Sequence, residues 1–330
     1  MEEYKKYIKK FILLLIIIIL VYSVYGICNI SYDFYTNIDD KNIGIATTVK
    51  NPHQLNDWIK YHLNIGFYKL YIVFDDENEN TYYLNNNSQV KIFKNDAKWK
   101  NELAKLPNMG HFINETKEVM SRQILNFTNV RNYAREDGVD WLLHIDADEL
   151  FYNEQVDIKS IFNNSYDVIS FQNFEMIPSR DNYENCFIDG INFKTNTSIF
   201  NAYSNGKSAV KVKSNTQTAG VHDFSGGRKL VSHKGKILHY PSCNFNEYMN
   251  KYKILGKFAD KWWDSVQIPF KFHTESRDLI TECSEKEAKG EINACETSVR
   301  LYYNKSNVLN DDYNLNDIKI IEFAKNVLSS

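Results

Sequence analysis

Apolar residues along this chain fall into two patterns. The first is an unbroken run from Phe11 to Val21, extended by Tyr22 to Cys28 and preceded by Lys5, Lys6, Lys9 and Lys10. With those flanks the run is just long enough to span a bilayer as a helix. Lysines before it and few after it predict a cytoplasmic N-terminus, with the rest of the chain across the membrane. The rival is a cleaved signal peptide, because Val24 and Gly26 suit a cleavage site; the length of the run favours an uncleaved anchor. Residues 1–10 then form a cytoplasmic tail, 11–28 a transmembrane signal-anchor, 29–42 a polar stem and 43–330 one folded domain.

In the second pattern, short apolar runs alternate with segments of helical spacing. Ile43 to Val49 reads as a strand. Leu55, Trp58, Ile59, His62 and Leu63 then lie on one helical face that Gly66 ends. Lys69 to Phe74 is a second strand running into Asp75, Asp76 and Glu77, and Val90 to Phe93 is a third. Thr116 to Asp137 reads as a helix closed by Gly138. Trp141 to Leu150 reads as one buried strand that ends abruptly in the carboxylates Asp146, Asp148 and Glu149. Further strands are expected at Val168–Phe171, Ala209–Val212 and Lys236–His239, a helix at Asn246–Lys257, and a peripheral helical tail after Asn307. This order predicts an α/β fold, with a mixed, mainly parallel sheet flanked by helices.

Composition adds boundaries. The 330 residues are 43% hydrophobic and 25% charged, with a net charge of -3, as in an ordinary globular protein. No basic stripe is available to neutralise phosphates, which argues against a nucleic-acid partner. Of the five cysteines, Cys28, Cys186, Cys243, Cys283 and Cys295, none forms a C-x-x-C pair. Cys283 and Cys295 are close enough to close a small loop in an oxidising compartment. The odd count makes Cys28 the candidate for a bond between chains, hence for a homodimer. Sequons at Asn86, Asn114, Asn126, Asn196 and Asn304 agree with a lumenal or extracellular domain.

Asp146 and Asp148 carry the chemistry. In open α/β sheets ligands bind beyond the carboxyl ends of the strands. Two carboxylates there, at i and i+2, can hold Mn²⁺ or Mg²⁺ and leave positions for ligand oxygens. Such an ion offsets the charge that develops on a departing diphosphate. Isolated D-x-D triplets are common in acidic turns. Here the apolar strand before the triplet and a helix bearing Arg122, Gln123, Arg131 and Asn132 favour the metal reading.

WLLHIDADEL resembles the D-x-D strand of GT-A fold (Rossmann-like) glycosyltransferases, particularly the family 92 and family 2-like group. VKNPHQLNDWIKYHLNIGFYKLYIVFDD resembles that group's first strand, its W-x-x-Y-H helix and its second strand ending in acids. NGKSAVKV, GVHDF and ILHYPSCNFNEYMNKYKILGKF resemble later blocks. The chain departs from the group at Lys50-Asn51-Pro52-His53, where family 92 shows an acid. The resemblance implies a metal-dependent transferase that moves a sugar from a nucleotide-sugar, a UDP-sugar such as UDP-galactose, to a glycan or glycoprotein acceptor, with inversion. It implies nucleotide contacts at Asp75 and Asp76 and a late histidine as third metal ligand, His222 or His239.

The remaining candidates rest on residue chemistry. Arg122 and Asn132 face the donor in this reading, and Lys207 and Ser208, after Gly206, meet the diphosphate. Lys251 and Lys253 suit the same role but read as surface lysines. Asp181, Glu184 and Asp189 are candidate bases for an acceptor hydroxyl. Arg277 is a candidate acceptor contact. Tyr183, Trp262 and Trp263 are candidate sugar-stacking rings. Two rivals stand beside the transferase: a glycan-binding membrane protein that retains the fold without turnover, and a metal-dependent hydrolase. The second lacks a clear water-activating base or a second metal cluster.

Overall fold

A computed structural model describes residues 41–84, 87–153, 157–180, 183–261, 267–268, 270–307, 314–315 and 318–329. The anchor expected at 11–28, the stem and Cys28 lie outside these residues, as do Asp181, Trp262 and Trp263. Among the described residues no helix is long and apolar enough to cross a membrane. Everything below concerns the compact unit that begins at Asn42.

The first half of the unit alternates strand and helix, as the periodicity predicts. Strand β1 is Ile43–Val49, helix α1 Leu55–Asn64, β2 Lys69–Phe74, and β3 Val90–Lys94. Helices α2 (Ala97–Leu103), α3 (Gly110–Asn114) and α4 (Val119–Glu136) follow, and then β4 (Trp141–His144). Strand β1 lies parallel between β2 and β4, and β2 pairs in parallel with β3. Side chains alternate across this sheet. Ile43, Ile45, Leu70 and Ile72 join Leu55, Trp58 and Ile59 of α1 on one face. Ala46, Tyr71 and Val73 join Ile124, Phe127 and Val130 of α4 on the other. Helices therefore cover both faces.

After β4 the pattern changes. The expected strand does not run on through Glu149. It stops at His144, the chain turns through Asp146 and Asp148, and Glu149 opens a separate strand, β5 (Glu149–Asn153). Next come β6 (Val168–Met176), helix α5 (Cys186–Asp189), β7 (Phe193–Lys194), β8 (Lys207–Lys211), β9 (Gln217–Thr218), β10 (Phe224–Ser225) and β11 (Lys229–His239). Strand β8 is antiparallel to both β4 and β6, and β11 is antiparallel to β5 and parallel to β6. The sheet is mixed rather than mainly parallel. Among the described residues no long helix crosses over between β5 and β11, and without such a crossover neighbouring strands tend to run antiparallel.

Helices α6 (Phe245–Leu255), α7 (Lys271–Ala288) and α8 (Ala294–Ser306) pack into a separate apolar cluster around Tyr248, Tyr252, Ile280 and Val299. The expected Cys283–Cys295 disulfide joins α7 to α8. A second disulfide, Cys186–Cys243, ties α5 to the segment between β11 and α6. Strand β12 (Asn314–Leu315) and helix α9 (Ile318–Ser329) follow; the expected tail is helical, but Ala324 and Leu328 pack into the main core, so it is not peripheral.

Candidate active site

Two parallel neighbours of β1 set the site. Asp75 follows the carboxyl end of β2, and its N–H donates to Val49 O at 2.8 Å. Ile145 follows the carboxyl end of β4, and its N–H reaches Ala46 O. Asp75 and Asp146 therefore leave the same edge of the sheet, where the parallel strands end.

The acidic turn is held from below. Glu149 is fully buried. Its Oε2 accepts the Asp146 N–H at 2.7 Å, and its Oε1 accepts the Tyr203 hydroxyl. Burial raises the Glu149 carboxyl to about 7, against the pull of Lys207. Its carbonyl takes the Trp58 indole N–H at 2.7 Å. Two residues on, Phe151 gives its N–H to His62 Nε2 and takes the Tyr61 hydroxyl on its carbonyl. The W-x-x-Y-H helix is thus a clasp on β5, and β5 fixes the turn that precedes it.

Both aspartates have cationic partners. Asp146 accepts Lys207 Nζ at 2.6 Å and Gln123 Nε2 at 2.8 Å. Asp148 accepts Lys251 Nζ at 2.8 Å, and His239 Nε2 lies 3.8 Å from the same oxygen, Oδ2. Burial opposes ionisation of Asp148, yet Lys251 and His239 hold it well below the usual carboxylate range. Burial opposes ionisation of Asp146 too, and Lys207 outweighs it. His239 arrives at the end of β11, opposite Glu149 in register.

Lys207 and Tyr203 are positioned by a loop that β6 anchors. Asn173 and Glu175 sit at i and i+2 on β6, and both are buried. Asn173 donates to Tyr203 O and accepts the Gly206 N–H. Glu175 accepts the N–H groups of Asn201 and Ala202. Gly206 has φ +69°, and a Cβ there would fall 2.0 Å from the Phe171 carbonyl oxygen, so only glycine fits.

Other candidates fall elsewhere. His222 turns Nδ1 to Gly206 O at 2.7 Å and packs on the Tyr203 ring. Burial lowers its imidazole to about 3, with Lys207 acting in the same sense. The convergent ligand atoms belong instead to Asp148, Glu149 and His239, all within 4.8 Å of one another. Ser208 spends its hydroxyl on His222 O and Ser170, a structural arrangement. Asp75 is taken by Arg122, whose Nε and terminal nitrogen reach the carboxylate at 2.8 Å. Asp76 is half-buried and closes a turn onto Asn78.

Asn132 is exposed. Nine residues along α4 from Gln123, at 3.6 residues per turn, it lies on the opposite side of the helix from the residue that meets Asp146. Asp189 accepts the Asn185 N–H within its own short helix, and Glu184 is exposed; no described hydrogen bond or ion pair joins either to the acidic turn. Arg277 is committed to Phe258 O, Asp260 and Asp278, which makes it a structural residue. Tyr183 hydrogen-bonds Ser179.

Pattern reading missed Tyr203, Asn173 and Glu175 and gave Lys251 to solvent. The polar residues at i and i+2 inside the strand FQNFEM were the one available signal, because buried polar side chains in a strand need partners.

No family model matches the chain. It is similar to two proteins of Arabidopsis thaliana. The protein named glycosyltransferase-like At3g57200 is 21% identical over 267 residues, covering 68% of this chain and 51% of that protein. The protein named glycosyltransferase-like At2g41451 is 26% identical over 164 residues, covering 41% of this chain and 36% of that protein. The chain therefore spans about half the length, or less, of these curated relatives. At this distance the similarities support a glycosyltransferase in general terms.

Proposed function

We propose that the chain is a metal-dependent glycosyltransferase of the GT-A type, resembling family 92, that takes a nucleotide-sugar donor at the turn Asp146–Asp148. The observation that carries the reading is the meeting of Asp148 with His239, two residues past Asp146, beyond the strand edge that Asp75 also leaves. A nucleotide laid along that edge would have its base near Asp75 and Arg122 and its diphosphate near Asp148.

The donor set suits a divalent ion in part. Asp148 supplies a half-buried ionised oxygen. His239 is buried, and its Nε2 stands 3.8 Å from Asp148 Oδ2, too far for a direct hydrogen bond, so that nitrogen can face an ion held by Asp148. Glu149 fits poorly, because Tyr203 and the Asp146 N–H occupy both its oxygens. Asp148 and His239 would therefore hold the ion, with Asp146 contributing beside Lys207. The imidazole favours Mn²⁺ over Mg²⁺. When bound, the ion would act as a Lewis acid toward the diphosphate.

The chain's own residues do the rest. Lys207 neutralises Asp146, and Gln123 fixes its other oxygen. The acceptor hydroxyl oxygen bonds the anomeric carbon as the carbon–oxygen bond to the diphosphate breaks. The nucleoside diphosphate leaves with the electron pair, and the acceptor proton passes to a carboxylate. We look for that base among Asp181, Glu184 and Asp189; Glu184 is exposed, whereas Asp189 is engaged by Asn185. A glycan or glycoprotein acceptor, a UDP-sugar donor and a lumenal or extracellular setting behind a single anchor complete the proposal. The two disulfides agree with an oxidising compartment.

The test is nucleotide release by the full chain from a panel of nucleotide-sugars, with and without Mn²⁺, for the native chain and for Asp148→Ala. Release that needs the metal, favours one donor and disappears in the variant supports the proposal. Absence of release, together with absence of metal-dependent donor binding, overturns it in favour of a glycan-binding protein.

A further inference from the structure

Lys207 and Lys251 each neutralise one aspartate of the acidic turn, but their settings differ. Lys207 is 1% exposed and bridges Asp146 at 2.6 Å and Glu149 at 3.6 Å. It is locked between two carboxylates beneath the turn. Lys251 has a third of its side chain exposed and lies on helix α6 beside a small pocket lined by Pro241, Ser242, Tyr252 and His273. Its ammonium touches Asp148 Oδ2 at 2.8 Å and Pro241 O at 3.0 Å.

The oxygen that Lys251 touches is also the one nearest His239 Nε2. A divalent ion bridging Asp148 and His239 would need that oxygen. An ammonium and a dication cannot share it without strong mutual repulsion. The backbone that carries Lys251 is fixed, because Asn244 and Glu247 cap α6 and the Cys186–Cys243 disulfide anchors the residue before the cap. Its four-carbon stem, however, is free to swing.

Resting on the reading of Asp148 and His239 as metal ligands at a nucleotide-sugar site, we propose that Lys251 and the divalent ion exchange on Asp148, and that the displaced ammonium becomes a ligand of the donor diphosphate. Lys251 thereby couples metal and donor. It competes with the metal alone, and it strengthens binding of the nucleotide once the metal is present. Lys207 takes no part in the exchange.

The experiment measures Mn²⁺ binding to the full chain by the electron-paramagnetic-resonance signal of free Mn²⁺, and then UDP binding at saturating Mn²⁺ by calorimetry. Native chain, Lys251→Met, Lys251→Arg and Asp148→Asn are compared, with circular dichroism to establish folding. Lys251→Met is expected to bind Mn²⁺ about tenfold more tightly without nucleotide, and UDP about tenfold more weakly with Mn²⁺, an ordinary size for coupled sites. Lys251→Arg should restore UDP binding, and Asp148→Asn should lose Mn²⁺. Unchanged Mn²⁺ affinity in Lys251→Met, with Mn²⁺ lost in Asp148→Asn, overturns the exchange and leaves the metal site standing. Failure of both the native chain and Lys251→Met to bind Mn²⁺ overturns the metal reading and the exchange with it.

Discussion

The hydroxyl of Tyr203 donates to Glu149, whose other oxygen holds the Asp146 N–H at 2.7 Å. This buried contact joins the segment between β7 and β8 to the acidic turn. Tyr203→Phe removes the donor and leaves one oxygen of a buried carboxyl without a partner. The expected cost is about 1–3 kcal/mol, the usual penalty for such a loss. Urea denaturation of the variant against the native chain measures it. A midpoint unchanged within error would mean that Tyr203 contributes nothing to holding the turn.

Gly206 sets the register of Lys207. Its positive φ and the closeness of Phe171 O exclude a side chain, so Gly206→Ala must move the loop or β6. The backbone strain alone is about 1 kcal/mol, and the clash adds to it. Because Lys207 sits next in the chain, the variant should lose donor binding as well as stability. Thermal melting and UDP calorimetry on the same preparation check both effects.

The Cys186–Cys243 bridge spans 57 residues and holds the segment between His239 and Lys251. Replacing both cysteines by serine should cost about 2–4 kcal/mol, since the bridge restricts a long loop in the unfolded chain. The larger consequence falls on the site, because the turn that separates His239 from α6 loses its tether. Chemical denaturation and Mn²⁺ titration of Cys186→Ser/Cys243→Ser measure the two effects separately. The Cys283–Cys295 pair, which staples α7 to α8 away from the turn, should change stability with little change in Mn²⁺ affinity.

Much of this arrangement was legible in the chain, for physical reasons that also mark where reading fails. Strands β1, β2 and β4 are short apolar runs, and β2 and β4 are followed by carboxylates, so their carboxyl ends and Asp146 could be placed without coordinates. The small Cys283–Cys295 loop followed from spacing. The Cys186–Cys243 bridge did not, because connectivity between distant cysteines is not encoded locally. Strand β5 is buried along its whole length, including Glu149 and Asn153, so it shows no period-2 alternation and merged with β4 in the reading. Arg122 and Asp75 were both identified as polar groups near the site, yet one-dimensional pattern does not reveal that they bind each other. Lys251 looked like a solvated lysine because its partner, Asp148, is 103 residues away.

His62 gives the sharpest stability test. Its imidazole is buried between α1 and β5, with Nδ1 toward Trp58 O at 2.8 Å and Nε2 accepting the Phe151 N–H. That arrangement requires the neutral ring protonated on Nδ1. Burial lowers its pKa from 6.5 to about 3, although the Trp58 carbonyl acts in the opposite sense. Above pH 6.5 the folded and unfolded chains both carry a neutral ring, and stability is unaffected. Between 6.5 and 3 the unfolded chain takes up a proton that the folded chain refuses, so stability falls as pH falls. Between pH 7 and pH 5 the expected loss from this group is about 2 kcal/mol. His62→Gln keeps an acceptor for Phe151 without a titrating ring. It should be less stable than the native chain at pH 7 and should lose about 2 kcal/mol less on acidification to pH 5. Parallel urea curves at the two pH values decide the matter. Equal acid sensitivity in the two proteins would show that His62 is protonated in the folded state, and that its bond to Phe151 is not what holds β5 to α1.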